Sequence, residues 1–371
     1  FADATETLGL PADNQWSTAF TAWWEGDDVR PTLAIGNYVD RDNPDGPFEA
    51  CDTNSILRPT TKGYIAEVLA PGFCPLSILA ANDARGRSTL RLSNDRHYYV
   101  RGGYEQMWDI QDRRFLGPDD GWDNVSLWGM GIASRDLNAD GLDEVMLTSM
   151  GDQLLQFANP SGRYDAARFD IGTYAHRPHV GDDGRPSTGW HAEFGDIDND
   201  GLADLFIAKG NVDQMPGMAM EDPNNLLMQR PDGSFVETAA KAGVATTDRS
   251  RGAALVDFDG DGRQDLIVSN RRVPLEIYRN VTADTGNWIG IDLRQANGNR
   301  FAIGAVITVT SDGQSQVLQH TIGGGHAGGQ LIARHFGLGP ATHAKITVDW
   351  PDGTTTTTIA DAGAVVTITK P

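Results

Sequence analysis

Three segments of this chain space their carboxylates as a hard divalent cation requires. They read 136-DLNADGLDEVMLTS-149, 196-DIDNDGLADLFIAK-209 and 257-DFDGDGRQDLIVSN-270. Each follows D-x-[DN]-x-D-G-x-x-[DE] and runs at once into a short apolar stretch. Calcium takes about six to eight oxygens at ~2.4 Å. Side chains at positions 1, 3, 5 and 9, with the backbone carbonyl at 7, supply them in one turn, and glycine at 6 permits the bend. The first ligand set is Asp136, Asn138, Asp140 and Glu144 with the carbonyl of Leu142. The second is Asp196, Asp198, Asp200 and Asp204 with Leu202; the third is Asp257, Asp259, Asp261 and Asp265 with Arg263. An EF-hand would carry its bidentate Glu at position 12 between helices, so the sequence argues against that reading. About three calcium ions are expected. Turns rich in Asp and Asn but free of metal are the bland alternative; carboxylates packed this closely repel one another without a cation.

The elements that position these loops repeat. Weaker copies at 24-WEGDDVRPTLAIGN-37 and 81-ANDARGRSTLRLSN-94 have lost most acids, and the five copies recur roughly every 55–61 residues. Each period holds about four short strands separated by Gly and Asp turns, the pattern of a propeller blade. The sequence therefore predicts an all-β chain with a five-bladed β-propeller over 1–285. The fifth blade lacks a fourth strand after 275-LEIYRN-280, and 1-FADATETLGL-10 resembles 235-FVETAAKAGV-244. The N-terminus is thus expected to close the ring as the outer strand of the last blade, removing two sheet edges. Residues 286–371 alternate Val, Ile and Thr and read as a second, small all-β unit.

The repeats resemble the FG-GAP/VCBS repeats of integrin-type propellers. The tail carries RFAIGAVITV (300–309), GGGHAGG (323–329), FGLG (336–339) and DWPDGT (349–354), in the order of the ASPIC/UnbV domain. The combination resembles bacterial members of the cartilage acidic protein family. That resemblance implies export, calcium in the loops and a propeller that works as an interaction scaffold, with no catalytic residue. This chain departs from the family in its two acid-poor loops, in five blades rather than seven, and in His326, where relatives carry Ser or an aromatic residue. GGGHAGG lacks the Lys and following helix of a phosphate cradle and reads as close backbone packing.

Composition agrees with export and cation binding. The chain has 371 residues and a net charge of −21, with 41 Asp against 10 Glu and 25 Arg against 5 Lys. Such acidity argues against nucleic acid or anionic membrane as partner, and no apolar run approaches the length of a membrane span. The N-terminal residue is Phe, as after removal of a signal. Secreted or periplasmic placement makes a Cys51–Cys74 disulfide the leading reading, a clasp for the first blade, where the metal loop is lost. Two unpaired buried thiols are the alternative.

The long loops, 37–53, 170–190 and 210–224, fall on the face opposite the acidic loops, where binding is expected. They carry His176, His179 and His191, with Arg177, Arg185 and Trp190, and Met215, Met218 and Met220. Three His with Met could hold zinc or copper, or these residues could cap turns and form adaptable contact surface. No nucleophile elbow, H-E-x-x-H or dinucleotide fingerprint is present. The function expected is a non-enzymatic scaffold for a protein or glycan. The alternative is a metal-dependent lyase or hydrolase acting on polysaccharide at the loop-rich face.

Overall fold

The computed structural model describes residues 2–11, 14–95, 102–151, 153–174, 187–212, 220–296, 298–326 and 329–371. The chain is nearly all β. The first sheet contains β1 (Ser17–Trp23), β2 (Thr32–Asn37), β3 (Asn54–Thr60) and β4 (Gly63–Leu69) in sequence order. The second holds β5 (Pro75–Asn82), β6 (Ser88–Asn94), β7 (Gln106–Asp109) and β8 (Arg114–Phe115), and the third β9 (Gly129–Arg135), β10 (Glu144–Ser149), β11 (Leu154–Ala158) and β12 (Tyr164–Ala166). The fourth contains β13 (Gly189–Gly195), β14 (Asp204–Lys209), β15 (Asn225–Gln229) and β16 (Phe235–Glu237), followed by a one-turn helix α1 (Ala239–Ala242). The fifth has three strands, β17 (Ser250–Val256), β18 (Asp265–Asn270) and β19 (Glu276–Tyr278). Every pairing in these sheets is antiparallel.

The first strand of each sheet lies innermost, β1 beside β5, β5 beside β9, β9 beside β13 and β13 beside β17, as blades of a propeller do. β5 is buried along nearly its whole length, and alanines at 80, 81, 133 and 192 let the inner strands approach closely. Each inner pairing also carries a register shift, at Ser17/Ala19, Pro75/Ser77, Thr148/Ser149, Gly189/Ala192 and Ser250/Gly252. Such bulges add the local twist that turns one blade against the next. Apolar wedges fill the spaces between consecutive sheets. Ile56, Ile78 and Leu92 sit between the first two, Met107, Ile132 and Val145 between the next, then Met146, Leu155 and Leu205, and finally Phe206, Leu255 and Val268.

The expected ring closure is not what the structure shows. Among the described residues no buried apolar cluster joins the fifth sheet to the first. Residues 5–9 form turns, with Leu8 N donating to Ala4 O at 2.8 Å and Leu10 N to Thr5 O at 3.0 Å. These internal bonds consume the donors that a sheet edge would need. The segment rests on the β3–β4 turn instead, where Tyr64 N donates to Gly9 O. β19 therefore gains no strand from it, and Leu275 and Ile277 stay exposed.

The C-terminal residues form two sheets. One pairs β20 (Asn287–Arg294) with β23 (Arg334–Gly339) and, in parallel, with β26 (Ala364–Thr369). The other runs in the order β22 (Gln314–Gln319), β21 (Val306–Ser311), β24 (His343–Asp349) and β25 (Thr355–Asp361). Ile291, Ile307, Phe336, Ile346 and Trp350 share one core across them. Between β22 and β23 the glycine-rich segment enters the propeller centre. Gly323 bridges to Leu79 and Gly325 to Ile132, and Thr21 donates its hydroxyl to the carbonyl of Ile322. His326 reaches deepest, its ring 4.8 Å from Trp190 and its Nδ1 3.2 Å from Met130 O. Burial pushes its pKa down to about 4, so the imidazole is neutral at physiological pH.

The expected disulfide is present between Cys51 and Cys74. It ties the β2–β3 loop of the first sheet to the residue before β5 of the second.

A side chain at position 323 would meet Thr21 Oγ1 at 2.6 Å and Ile78 O at 2.7 Å, on a backbone with φ +109°. Gly323→Val should therefore destabilise the protein by about 2 kcal/mol or more. The expected result is a lower melting temperature together with faster proteolysis of the C-terminal sheets; an unchanged melt would contradict this packing.

Candidate metal loops

The three acidic loops join β9 to β10, β13 to β14 and β17 to β18, and all fold alike. The first carboxylate caps the turn by accepting from the glycine at position 6: Asp136 from Gly141, Asp196 from Gly201 and Asp257 from Gly262, each at 2.9 Å. The acid at position 5 accepts the N–H of position 7, as Asp140 does from Leu142, Asp200 from Leu202 and Asp261 from Arg263. The acid at position 9 reaches back to position 2, Glu144 to Leu137, Asp204 to Ile197 and Asp265 to Phe258. Position 4 is left-handed in all three, as Ala139, Asn199 and Gly260, and so is the glycine at position 6. Hydrogen bonds and the glycine bend thus preform the loop.

This folding brings carboxylates together. Oxygens of Asp196, Asp198 and Asp204 lie within 4.8 Å of one another, and so do those of Asp257, Asp259 and Asp265. Either triad could hold a metal ion. The first loop has Asn138 at position 3, leaving Asp136, Asp140 and Glu144 as its acids. Two buried oxygens in the set have no hydrogen-bond partner, Asp198 Oδ1 and Glu144 Oε1. An orphaned buried carboxylate oxygen costs free energy that a bound cation would return. The residues present therefore fit a metal, and metal-free Asp turns leave those two oxygens unexplained.

Burial raises the acids of the first two loops, Asp196 to about 7 and Glu144 to about 8, and it lifts Asp204, Asp136 and Asp200 as well. The cover over the second loop comes from the far end of the chain. His335 Nε2 lies 2.7 Å from Asn199 Oδ1, Gly286 N donates to Asp198 O, and Gly339 N donates to Asn199 O. A β-carbon at Gly337 would sit 2.0 Å from Asp196 Oδ2, which explains the glycine inside FGLG. The C-terminal sheets thus sit on the acidic-loop face. The third loop is handled differently. Arg279, just past β19, pairs with Asp259 at 2.6 Å and Asp261 at 3.0 Å, and Arg263 also holds Asp261. A guanidinium there competes with any ion.

Most of the histidine and methionine cluster lies outside the described residues, which include only His191 and the half-buried Met220. His176, His179, Arg177, Arg185, Met215 and Met218 lie outside the described residues. His191 sits on β13 in the propeller centre and is buried, its Nδ1 accepting from His326 N at 3.1 Å and its Nε2 3.3 Å from Glu193. Trp190 is a core residue rather than an exposed contact, with its Nε1 donating to Gly210 O and Arg251 stacked 3.9 Å over its ring. An inner strand turns alternate side chains into packed surroundings, which a strand-end reading of the sequence missed. Asn199, Arg279 and Glu193 were also missed. Their partners lie 136, 18 and 137 positions away in sequence, beyond the reach of a local motif.

Comparison with known proteins agrees with the resemblance read from the sequence. A family model described as ASPIC and UnbV matches residues 295–371, and one described as FG-GAP-like repeat matches 209–268. Cartilage acidic protein 1 of Xenopus tropicalis is 28% identical over 241 residues, 63% of this chain and 35% of that protein. Its Mus musculus counterpart is 25% identical over 237 residues, again 63% and 35%. The match thus spans about a third of these relatives' length. Solved structures with weak likeness include an Agrocybe aegerita lectin (14% identity, TM-score 0.38, 71% of this chain and 67% of that one) and a Burkholderia pseudomallei lectin (12%, 0.37, 94% and 96%).

Two measurements probe the loops. Arg279→Gln removes the competing cation, so divalent-ion affinity at the third loop should rise about two- to five-fold by calorimetric titration, the range of an exposed ion pair; unchanged affinity would show that Arg279 does not compete. The second concerns pH. Asp196 and Glu144 rise from ordinary values of 3.8 and 4.5 to about 7 and 8, so the folded chain binds protons that the unfolded chain has released. Metal-free protein should then be most stable near pH 4 and lose that increment as pH rises toward 8. Asp196→Asn should flatten part of the slope in a melting series; a wild-type slope in the variant would exclude Asp196 as its source.

Proposed function

We propose that this chain is an exported, calcium-braced β-propeller that serves as a binding scaffold for a protein or a glycan and catalyses no reaction itself. Residues 1–285 form the propeller part and 286–371 a C-terminal β module clamped onto it. The observation that carries the reading is the pair of carboxylate triads with the orphaned oxygens of Asp198 and Glu144. Hard carboxylate and carbonyl oxygens, with no sulfur or imidazole in the set, favour calcium over a softer metal. The acids at positions 1, 5 and 9, the acid or Asn138 at position 3, and the carbonyls of Leu142, Leu202 and Arg263 would hold about three ions. When bound, the ions neutralise the clustered charge and stiffen the loops on which the C-terminal module rests.

Export is supported by the disulfide. Among the described residues no helix is long and apolar enough to cross a membrane, and the acidity disfavours nucleic acid. The partner would meet the face opposite the metal loops, the side on which the β2–β3 connection lies. The polysaccharide-cleaving alternative wants acid and base on an open channel. His191 and Glu193 instead lie against the segment Gly323–His326.

The deciding experiment combines metal analysis, a chelator melt and a glycan and protein array. Calcium should be the stoichiometric metal. Each site should stabilise by about 2.7 kcal/mol when free calcium is a hundredfold above its Kd, so EGTA should lower the melting temperature and abolish array binding. An EGTA melt identical to the calcium melt would remove calcium from the account. Stoichiometric copper or zinc, or cleavage of an arrayed polysaccharide, would replace the scaffold reading.

A further inference from the structure

At the propeller centre, beneath the glycine-rich plug, lies a cavity of about 120 Å³ between β9, β13 and the C-terminal sheets. Its charged lining residues are Arg135, Arg334 and Glu193, with His191 beside the acid. We propose that this cavity binds a small hydroxycarboxylate of three or four carbons, its carboxylate between Arg135 and Arg334 and its hydroxyl on the His191–Glu193 side.

Charge selects an anion. Two guanidiniums face one carboxylate, a surplus of one positive charge within the cavity wall. Glu193 is already engaged, since it accepts from Gln330 and from Leu255 N at 3.2 Å and lies 3.3 Å from His191. The acids that attract Arg135, namely Asp143, Asp196 and Asp136, belong to the metal-loop side and do not line the cavity.

Hydrogen-bond capacity agrees. Arg334 spends Nε on His320 at 2.9 Å and Nη2 on Thr321 O at 2.6 Å, and Arg135 spends Nη2 on Gln316 at 3.3 Å. A guanidinium has five donors, so each retains donors without a protein acceptor among the described residues. A carboxylate takes such donors in pairs. Burial holds Arg334 down to about 10, against the pull of Glu193 and with a smaller push from Arg135.

The volume suits a small acid. An apolar cavity of about 150 Å³ accommodates benzene, so this one takes roughly six heavy atoms. Leu79 and Ile132 offer an apolar wall for the carbon side. A lactate-sized molecule meets all three conditions.

The test is titration of calcium-loaded full-length protein with L-lactate, with lactamide as the neutral isostere and sodium chloride matching ionic strength. Saturable lactate binding without lactamide binding is expected by calorimetry and by saturation-transfer NMR. Arg334→Gln should weaken it about tenfold or more. Glu193→Gln keeps the shape, removes the opposing charge and should tighten it several-fold. If Arg334→Gln does not fold, Glu193→Gln decides alone: tighter lactate binding supports the site, and unchanged or weaker binding overturns it. Equal responses to lactate and lactamide, or no saturable lactate signal up to about 10 mM, would also overturn it.

Discussion

Carboxylates held within 4.8 Å of one another are the constraint around which this molecule is arranged. At an effective dielectric of about 20, two unit charges at that separation repel by about 3 kcal/mol. The chain nonetheless builds such clusters with care. It gives each loop the same hydrogen-bonded frame, the same two left-handed positions and the same closing acid. Two answers to the repulsion coexist. In the second loop burial under β23 raises the acids toward protonation, and in the third Arg279 supplies a positive charge from the protein itself. A divalent ion would serve both in place of these makeshifts.

Much of the propeller was legible in the sequence because its determinants are local. The acidic loops, the four-strand period and the turn chemistry each occupy one short stretch of chain. The cysteine pair was legible for another reason: few residues share its chemistry. What could not be read depends on partners distant in sequence. FADATETLGL resembles an outer strand by composition, yet its main chain closes on itself in turns that end at Gly9, whose φ is +62°. His191 looks like a loop ligand beside Trp190, but both belong to an inner strand whose surroundings are set by residues near position 326. Backbone proximity was correctly expected of GGGHAGG, while its destination in the propeller centre was not.

The arginine–glutamate centre and the acidic loops are electrically connected. Arg135 stands between them, attracted by Asp143, Asp196 and Asp136 on one side and bordering the central cavity on the other. Its guanidinium also lies 5.2 Å over Phe336, in the core of the C-terminal sheets. One side chain on the propeller therefore feels the charge of the metal loops and packs against the tail.

The descent of the glycine-rich segment into the propeller has a kinetic side. Thr21, on the first strand, bonds to the carbonyl of Ile322, 301 positions later. Contacts so far apart close late, because the loop entropy must be spent before they form. During synthesis the early blades emerge long before the residues that fill their centre, and inner strands bearing Ile78, Leu79 and Ile132 must wait with that surface open. The last contacts to form would be those of Gly323 and Gly325 with Leu79 and Ile132 on the inner strands.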